Sequence, residues 1–382
     1  MDDGGGRLVR SRRAQVAAAV ALAVVLTAAV AAGLRLGDDE EVVAVATTTT
    51  VAPTTAAPTT TEPPTTTSTV PPPPECDPPP VGTGPPGPLT GRPVEVPGAQ
   101  SRPALIVKID NYDPSARPQA GLTRADVVFE EKVEGPVSRF AAVFQSTSSE
   151  VGPVRSARST DVGLAATLGR PLFAYSGASG YFQGLVDQAP LIDVGAGRRA
   201  GAYWRAADRP VPYNLWSSTS GLWSGASAVP PAPLWAFRAE GAPAPAGGRP
   251  MTEAAYHFGG NVTSVRWRWD PARGTFARWQ NGTPHLDAAW CQVEVQNVIV
   301  QLVPYVDSGV RDVTGGVSPE AALFGAGPAW VLTGGQAVPA TWQRVWGDSP
   351  TAYLGPDGRP IAMAPGRTWV ALVPEANGVA IG

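Results

Sequence analysis

Polar side chains that could bind or transform a ligand are densest between residues 110 and 158. Arginine forms paired hydrogen bonds to carboxylate or phosphate, so Arg155 and Arg158, three residues apart, could grip one anion. Two alternatives stay open: the acids and arginines pair with one another across neighbouring strands, or a carboxylate pair performs acid–base catalysis. The candidate ligand-binding residues of this stretch are Asp110, Asn111, Arg117, Gln119, Glu130, Glu134, Arg139, Arg155, Ser156 and Arg158.

His285 and Asp287 form a further candidate pair, because side chains two positions apart in a strand point the same way. A serine hydrolase would use such a pair, but the sequence has no Gly-x-Ser-x-Gly elbow and only one other histidine, His257. The alternative is a structural pair in a turn. Zinc-ligand spacings and glycine-rich phosphate loops are also missing from the sequence. We therefore predict no catalytic residue, no metal site and no cofactor, and keep His285 and Asp287 as ligand-binding candidates.

The composition excludes several classes of protein. The 382 residues carry a net charge of −3, whereas a nucleic-acid-binding domain is normally strongly basic. We therefore expect no nucleic acid as a partner, and the missing phosphate loops argue against a nucleotide. Two cysteines are too few for a disulfide-dense scaffold. Cys76 and Cys291 could pair in an oxidising compartment, a question that the sequence leaves open because their separation in space is unknown.

The candidate residues fall on or between short strands and helices. Apolar and alternating runs predict strands, and the spacing of Phe182, Leu185 and Val186 predicts one of two helices. Beyond a Gly- and Pro-rich stretch at 239–250 the helical period disappears. The predicted strands are 104–109, 126–133, 139–145, 172–175, 265–269, 275–279 and 293–303, and the predicted helices are 160–168 and 179–188. This order predicts an α+β fold with an N-terminal mixed α/β domain at 89–240 and a β-rich C-terminal domain at 250–382.

The first 88 residues have a different character. Four arginines in residues 1–13 precede an apolar run at 14–34 that is long enough to span a bilayer. The positive-inside rule predicts a cytoplasmic tail at 1–13, a single transmembrane anchor at 14–36 and extracytoplasmic folded domains. A cleaved signal peptide is the alternative, although the run exceeds a usual signal sequence. The Thr- and Pro-rich residues 37–88 predict a disordered linker.

Several motifs follow one another in a fixed order along the folded part. They are Pro88-Leu-Thr-Gly-Arg-Pro93, Val107-Lys-Ile-Asp-Asn111, Ala116-Arg-Pro-Gln-Ala-Gly-Leu122, Ala125-Asp-Val-Val-Phe-Glu130, Gly152-Pro-Val-Arg-Ser-Ala-Arg158, Pro284-His-Leu-Asp287 and Pro365-Gly-Arg-Thr-Trp-Val370. Over residues 88–374 the chain strongly resembles the YerB-like family, a bacterial envelope family of mostly lipoproteins with undefined function. The resemblance implies a two-domain extracytoplasmic protein and supplies no reaction.

The chain departs from the family pattern at two places. Members usually carry a lipid-modified cysteine, whereas this chain has the apolar anchor and linker. Members also tend to have histidine before Asn214, where this chain has Tyr213. Catalysis that depends on that histidine is therefore not expected here, and Asn214 joins the ligand-binding candidates.

The predicted topology and the arginine–carboxylate group together lead to a functional hypothesis. We expect a membrane-anchored, extracytoplasmic envelope protein that binds or regulates cell-wall components or wall-synthesis proteins without catalysis. The alternative is a hydrolase of peptidoglycan or another wall polymer that pairs Glu130 or Glu134 with Asp110, so enzymatic activity stays an open question.

Overall fold

The computed structural model describes residue 76 and residues 82–112, 114–260, 262–312 and 315–382. The predicted cytoplasmic tail at 1–13, the predicted anchor at 14–36 and most of the predicted linker lie outside these residues. Within the described ranges no helix is both long enough and apolar enough to cross a bilayer.

Short strands make up most of the regular structure. In chain order they are β1 (Leu105–Asp110), β2 (Val127–Lys132), β3 (Ser138–Phe144), β4 (Glu150–Val151), β5 (Leu172–Ala174), β6 (Ile192–Asp193), β7 (Tyr203–Arg205), β8 (Leu215–Ser218), β9 (Arg249–Pro250), β10 (Glu253–His257), β11 (Ser264–Asp270), β12 (Thr275–Gln280), β13 (Thr283–Pro284), β14 (Glu294–Val295), β15 (Asn297–Val303), β16 (Tyr305–Arg311), β17 (Val317–Ala321), β18 (Gly325–Thr333), β19 (Gln336–Arg344), β20 (Ala352–Leu354), β21 (Thr368–Pro374) and β22 (Ala380–Ile381). The α-helices of the described chain are α1 (Ser159–Ala165), α2 (Gly180–Gln188) and α3 (Thr219–Trp223).

One large sheet joins the two halves of the sequence. Its strand order is β20-β19-β18-β15-β21-β2-β3-β1-β5-β6, with β9 paired to β19. Strand β21 lies parallel to both of its neighbours, so that Trp369 is in register with Val298 of β15 and with Val128 of β2. The segments 89–240 and 250–382 therefore contribute strands to the same sheet.

Each face of this central sheet packs against a different layer. Because side chains alternate along a strand, Val128 and Val127 of β2 lie in different apolar cores. Val128 packs in a core that includes Trp267, from the smaller sheet built around β10, β11 and β12. Val127 packs in a core that includes Leu164 of α1 and Val186 of α2. A polar residue on β2 is therefore buried under the smaller sheet or under the helices, depending on its position.

The strand-rich fold with few helices agrees with the sequence prediction, but a mixed α/β first domain is not confirmed. The helices contain only 7, 9 and 5 residues. The helix predicted at 160–168 ends early, and a 3-10 turn continues it over Ala166–Leu168. The hydroxyl of Thr167 accounts for this early end of the helix. Its Oγ1 donates to the carbonyl of Leu164 at 2.8 Å, and this bond competes with the backbone hydrogen bonds of a regular helix.

Candidate functional site

Glu130, in the middle of β2, is completely buried on the face that meets the smaller sheet. Its Oε1 accepts hydrogen bonds from Nη2 of Arg278 and from Oγ of Ser138, each at 2.8 Å. Its Oε2 accepts from Nε1 of Trp369 at 3.0 Å and from the hydroxyl of Tyr256 at 3.3 Å. Four donors thus saturate the carboxylate, and its charge neutralises the buried guanidinium of Arg278. Glu130 is consequently a structural residue, which corrects the prediction that it binds ligand.

The buried hydrogen bonds around Glu130 and Arg278 form a network that we call the sealed network. It also contains Asn111, Gln119 and His285. Nη1 of Arg278 donates to Nδ1 of His285, so the proton of this imidazole sits on Nε2, which donates to Oε1 of Gln119 at 2.9 Å. Nε2 of Gln119 in turn donates to Oδ1 of Asn111 at 3.2 Å. Burial, followed by the nearby charges of Arg278 and Arg117, lowers the pKa of His285 well below its ordinary value. These three candidates are 0–1% exposed and cannot meet a ligand, because the layer interface covers them.

The expected pair of His285 with Asp287 does not form. The chain turns at Asp287, whose carbonyl accepts from the amide of Trp290 at 2.9 Å. Its Oδ1 accepts from the amides of Ala289 at 2.9 Å and Cys291 at 3.2 Å, and its Oδ2 accepts from the hydroxyl of Thr123. Asp287 therefore shapes this turn, while the imidazole two residues earlier points into the network.

The opposite face of β2 holds another buried ionic group, beneath α1. Nζ of Lys108 donates to Oε1 of Glu131 and, at 2.7 Å, to Oδ1 of Asp161. Burial and the neighbouring charge of Asp161 raise the pKa of Glu131 to about 7. Two carboxylates thus share one ammonium group away from solvent.

Five of the predicted residues gather where β1 and β2 end, in what we call the arginine cluster: Asp110, Glu134, Arg139, Arg155 and Arg158. Oδ2 of Asp110 accepts from Nε of Arg155 at 2.6 Å, and Nε of Arg139 lies 3.7 Å from Oδ1. Arg158 grips Glu134 through two parallel hydrogen bonds of 2.6 Å. Although burial opposes it, this guanidinium lowers the pKa of Glu134 to about 2.

Three guanidinium groups therefore face two carboxylates in the arginine cluster. Burial, reinforced by the positive charge of Arg158 and then of Arg155, lowers the pKa of Arg139 to about 10. Nε of Arg139 is buried and has no hydrogen-bond partner among the described residues. The side chain of Arg155 is 26% exposed, so the cluster reaches solvent through this residue.

Backbone pairing holds the cluster at the carboxyl ends of the parallel strands β1 and β5. The amide of Asp110 donates to the carbonyl of Pro153 at 3.0 Å, and the amide of Arg155 donates to the carbonyl of Lys108 at 2.9 Å. On the other side the amide of Ser176 donates to the carbonyl of Arg155 at 3.0 Å. The segment that bears the arginines is thus wedged between the two strand ends, where ligands commonly bind in open sheets.

Two tyrosines flank the exposed side of the cluster. The rings of Tyr112 and Tyr213 stack with centroids 6.1 Å apart, and the guanidinium carbon of Arg155 lies 5.8 Å from the centre of the Tyr213 ring. Oγ of Ser156 lies beside the cluster, 3.4 Å from Oγ of Ser176. Tyr213, the departure from the family pattern, thus lies next to the most accessible arginine.

Asn214 and Arg117, the remaining predicted residues, also contact neighbouring arginines. Oδ1 of Asn214 accepts from Nη1 of Arg205 at 2.7 Å. The carbonyl of Arg117 accepts from Nη1 of Arg209 at 3.2 Å. Cys76 and Cys291 form a disulfide with a Cα–Cα separation of 5.5 Å, which ties the end of the linker to the second half of the chain.

Sequence reasoning missed Arg278, Trp369 and Tyr256, which complete the sealed network, and Tyr112 and Tyr213 beside the arginines. A signal for Arg278 exists, because Phe276, Arg278 and Gln280 share the buried face of β12. A charged residue in phase with a buried aromatic side chain predicts a buried ion pair, but the partner on β2 cannot be read from spacing.

Comparison with known proteins bears on both halves of the chain. Residues 89–230 match the domain described as "Protein of unknown function (DUF3048) N-terminal domain", and residues 254–370 match the corresponding C-terminal domain. The chain is 28% identical over 307 residues to YerB of Bacillus subtilis (strain 168), named as a candidate lipoprotein, covering 77% of this chain and 88% of that protein. The crystal structure of YerB from Bacillus subtilis has the same fold, with a TM-score of 0.67 at 24% identity over 77% of this chain and 99% of that one. The resemblance noted in the motifs is therefore confirmed, and the chain belongs to the YerB-like family of proteins with paired DUF3048 domains.

Proposed function

We propose that this protein is a membrane-associated, extracytoplasmic factor of the bacterial envelope that binds an anionic group of a cell-wall component at the arginine cluster, without catalysis. The observation that carries the proposal is that Arg139, Arg155 and Arg158 share the carboxylates of Asp110 and Glu134 as ion-pair partners, and that the side chain of Arg155 is 26% exposed. A carboxylate or phosphate beside Arg155 would offset the excess positive charge and could accept paired hydrogen bonds.

Several features support an envelope location. The relative in Bacillus subtilis is named as a candidate lipoprotein, which would be held at a membrane surface. In this chain the segment 14–36, most of which is apolar, would serve as a single-pass anchor, followed by the linker. The disulfide between Cys76 and Cys291 suits an oxidising compartment outside the cytoplasm.

The carboxylates in this region favour binding over hydrolysis. A general acid needs a raised pKa, whereas Arg158 lowers the pKa of Glu134 to about 2 in spite of burial. Glu130 has its acceptors filled by four protein donors, and Asp110 is held by two arginines. A carboxylate-pair hydrolase would need these groups to exchange their present partners for substrate and water.

Co-sedimentation of the purified full-length chain with isolated, insoluble bacterial walls tests the proposal. Arg155→Gln removes the exposed positive charge, while Asp110 still has Arg139 as its ion-pair partner. We therefore expect this variant to bind walls at least tenfold more weakly than the unaltered chain. Arg198→Gln is the matched control, because this arginine is 59% exposed in a separate ion-pair group. Binding should also weaken with added salt, since exposed charges are screened.

Two outcomes would overturn the proposal. One is equal wall binding by Arg155→Gln and by the unaltered chain. The other is equal binding to walls whose carboxylates and phosphates have been chemically masked, since the arginine cluster would then have no ligand.

A further inference from the structure

A cleft of about 930 Å³ lies away from the arginine cluster, next to the disulfide. Its wall is built from several distant segments of the chain, including Glu95, Asp126, Asp287, Cys291 and Arg367. The volume is at the upper end of the range that holds small ligands in proteins. None of the residues of the arginine cluster lines it.

Most of the charges around this cleft are already paired within the protein. Nη2 of Arg124 donates to Oε1 of Glu95, and Nη2 of Arg92 donates to Oε1 of Glu240 at 3.0 Å. Asp126 accepts from the amides of residues 145 and 146, at 2.5 Å and 2.8 Å. The walls of the cleft are therefore held in place without a ligand.

Three buried atoms in the cleft residues have no hydrogen-bond partner within the described ranges. They are Nε of Arg92, Oε2 of Glu95 and Nη2 of Arg367. Buried polar atoms in native proteins are nearly always hydrogen-bonded to protein or to ordered water, so these two donors and one acceptor are left for water or a ligand. Burial lowers the pKa of Arg367 to about 10, against the opposing charge of Asp126, so its guanidinium is cationic at neutral pH.

The loop beside the disulfide carries a strained aromatic residue. Trp290 has φ of 64°, a left-handed conformation that is rare for a bulky side chain, and it is 61% exposed. Its neighbours at positions 287–289 and 291 line the cleft, and the side chain of Asp287 fixes the turn. Backbone strain of this kind concentrates at functional sites, where the surrounding structure enforces it.

We propose that this cleft binds a short peptide with a free carboxylate and a free ammonium group. The carboxylate meets Arg367 and Arg92, which offer unpaired donors, and the ammonium group meets Glu95, which offers an unpaired acceptor. A simple anion would leave the oxygen of Glu95 unsatisfied, and a simple cation would leave both arginine nitrogens unsatisfied. The volume admits several residues rather than a single amino acid.

Calorimetric titration of the full-length chain with Ala-Xaa-Ala tripeptides, in which Xaa is each standard amino acid, tests this site. For the tightest tripeptide, N-acetylated and C-amidated versions are titrated as well. Arg367→Gln should weaken the binding of the free tripeptide at least tenfold but leave the binding of the C-amidated version unchanged. Glu95→Gln should weaken the binding of the free tripeptide but leave the binding of the N-acetylated version unchanged. Asp187→Asn, on an exposed carboxylate outside the cleft, should change none of these affinities.

This pattern separates recognition from a general loss of structure, because each variant is matched to one end of the peptide. If Arg367→Gln does not fold, Glu95→Gln and the capped peptides still decide the question. The proposal is overturned if no tripeptide binds at millimolar concentration, or if capping either end leaves the affinity unchanged. Arg155→Gln should bind the tripeptide normally, so this result is independent of wall binding at the arginine cluster.

Discussion

The buried pair of Glu130 and Arg278 should show strong energetic coupling, because both side chains are completely excluded from solvent. Glu130→Gln keeps the shape and one acceptor but leaves the guanidinium of Arg278 without a counter-charge. Breaking one partner of such a pair costs about 3–5 kcal/mol of unfolding free energy. Arg278→Met should cost a similar amount, since it leaves a buried carboxylate instead.

The double variant should lose much less unfolding free energy than the sum of the losses in the two single variants. With both charges removed, neither ion of the pair remains buried, and the single amide oxygen of Gln at position 130 can still accept from either Ser138 or Trp369. The remaining cost comes from the partners of Arg278, chiefly Nδ1 of His285, which lose a donor, at about 1–3 kcal/mol. We therefore expect a coupling energy of about 2 kcal/mol or more.

Urea unfolding of the purified chain, followed by tryptophan fluorescence and by circular dichroism, provides the measurement. Arg266→Met is the matched control, because Arg266 pairs with Glu253 at the surface and such pairs contribute about 0–1 kcal/mol. Additivity of the two core substitutions within about 0.5 kcal/mol would refute the reasoning, since separate sites behave in that way. So would two separate unfolding transitions of which only one shifts, because the pair joins β2 of the large sheet to β12 of the smaller sheet.

Three further outcomes follow from the buried ionisable groups and the disulfide. Replacing Cys76 and Cys291 by Ser should lower the unfolding free energy in urea by up to about 5 kcal/mol, since the bond closes a loop with a sequence separation of 215; no loss would contradict this chain-entropy reasoning. The pKa of Glu131 is raised from 4.5 to about 7, so as pH rises the unfolded chain loses this proton before the folded chain does, and stability falls between these two pH values. The fall should be on the order of 1 kcal/mol of unfolding free energy per pH unit, and urea unfolding of Glu131→Gln should lack it. The pKa of His285 is lowered below 6.5, so the unfolded chain takes up a proton first and stability falls as pH drops below about 6.5; His285→Gln should be free of this loss when thermal unfolding is compared at pH 7 and pH 5.

Strands β1, β2 and β3 of the large sheet could be predicted from apolar and alternating runs. Apolar residues at successive positions predicted β1 within one residue of its observed bounds, and alternation predicted β2 and β3 at 126–133 and 139–145. The insertion of β21 between β2 and β15 could not be predicted. Residue 369 meets residue 128 across most of the folded sequence, and no local pattern encodes which distant strand fills a gap in a sheet.

The candidate site was predicted as one group of residues, whereas the structure divides it by position along the strands. Glu130 and Glu131 are central in β2 and lie on opposite faces, so each is covered by a different layer and needs a buried counter-charge. Asp110 ends β1 and Glu134 follows β2, where the covering layers stop and the arginines that pair with them can reach solvent. Alternation indicates the face on which a charge lies, but distance from the strand end decides whether a ligand can reach it. Acids in the middle of a doubly covered strand should therefore be read as structural, and acids at its ends as candidates for binding.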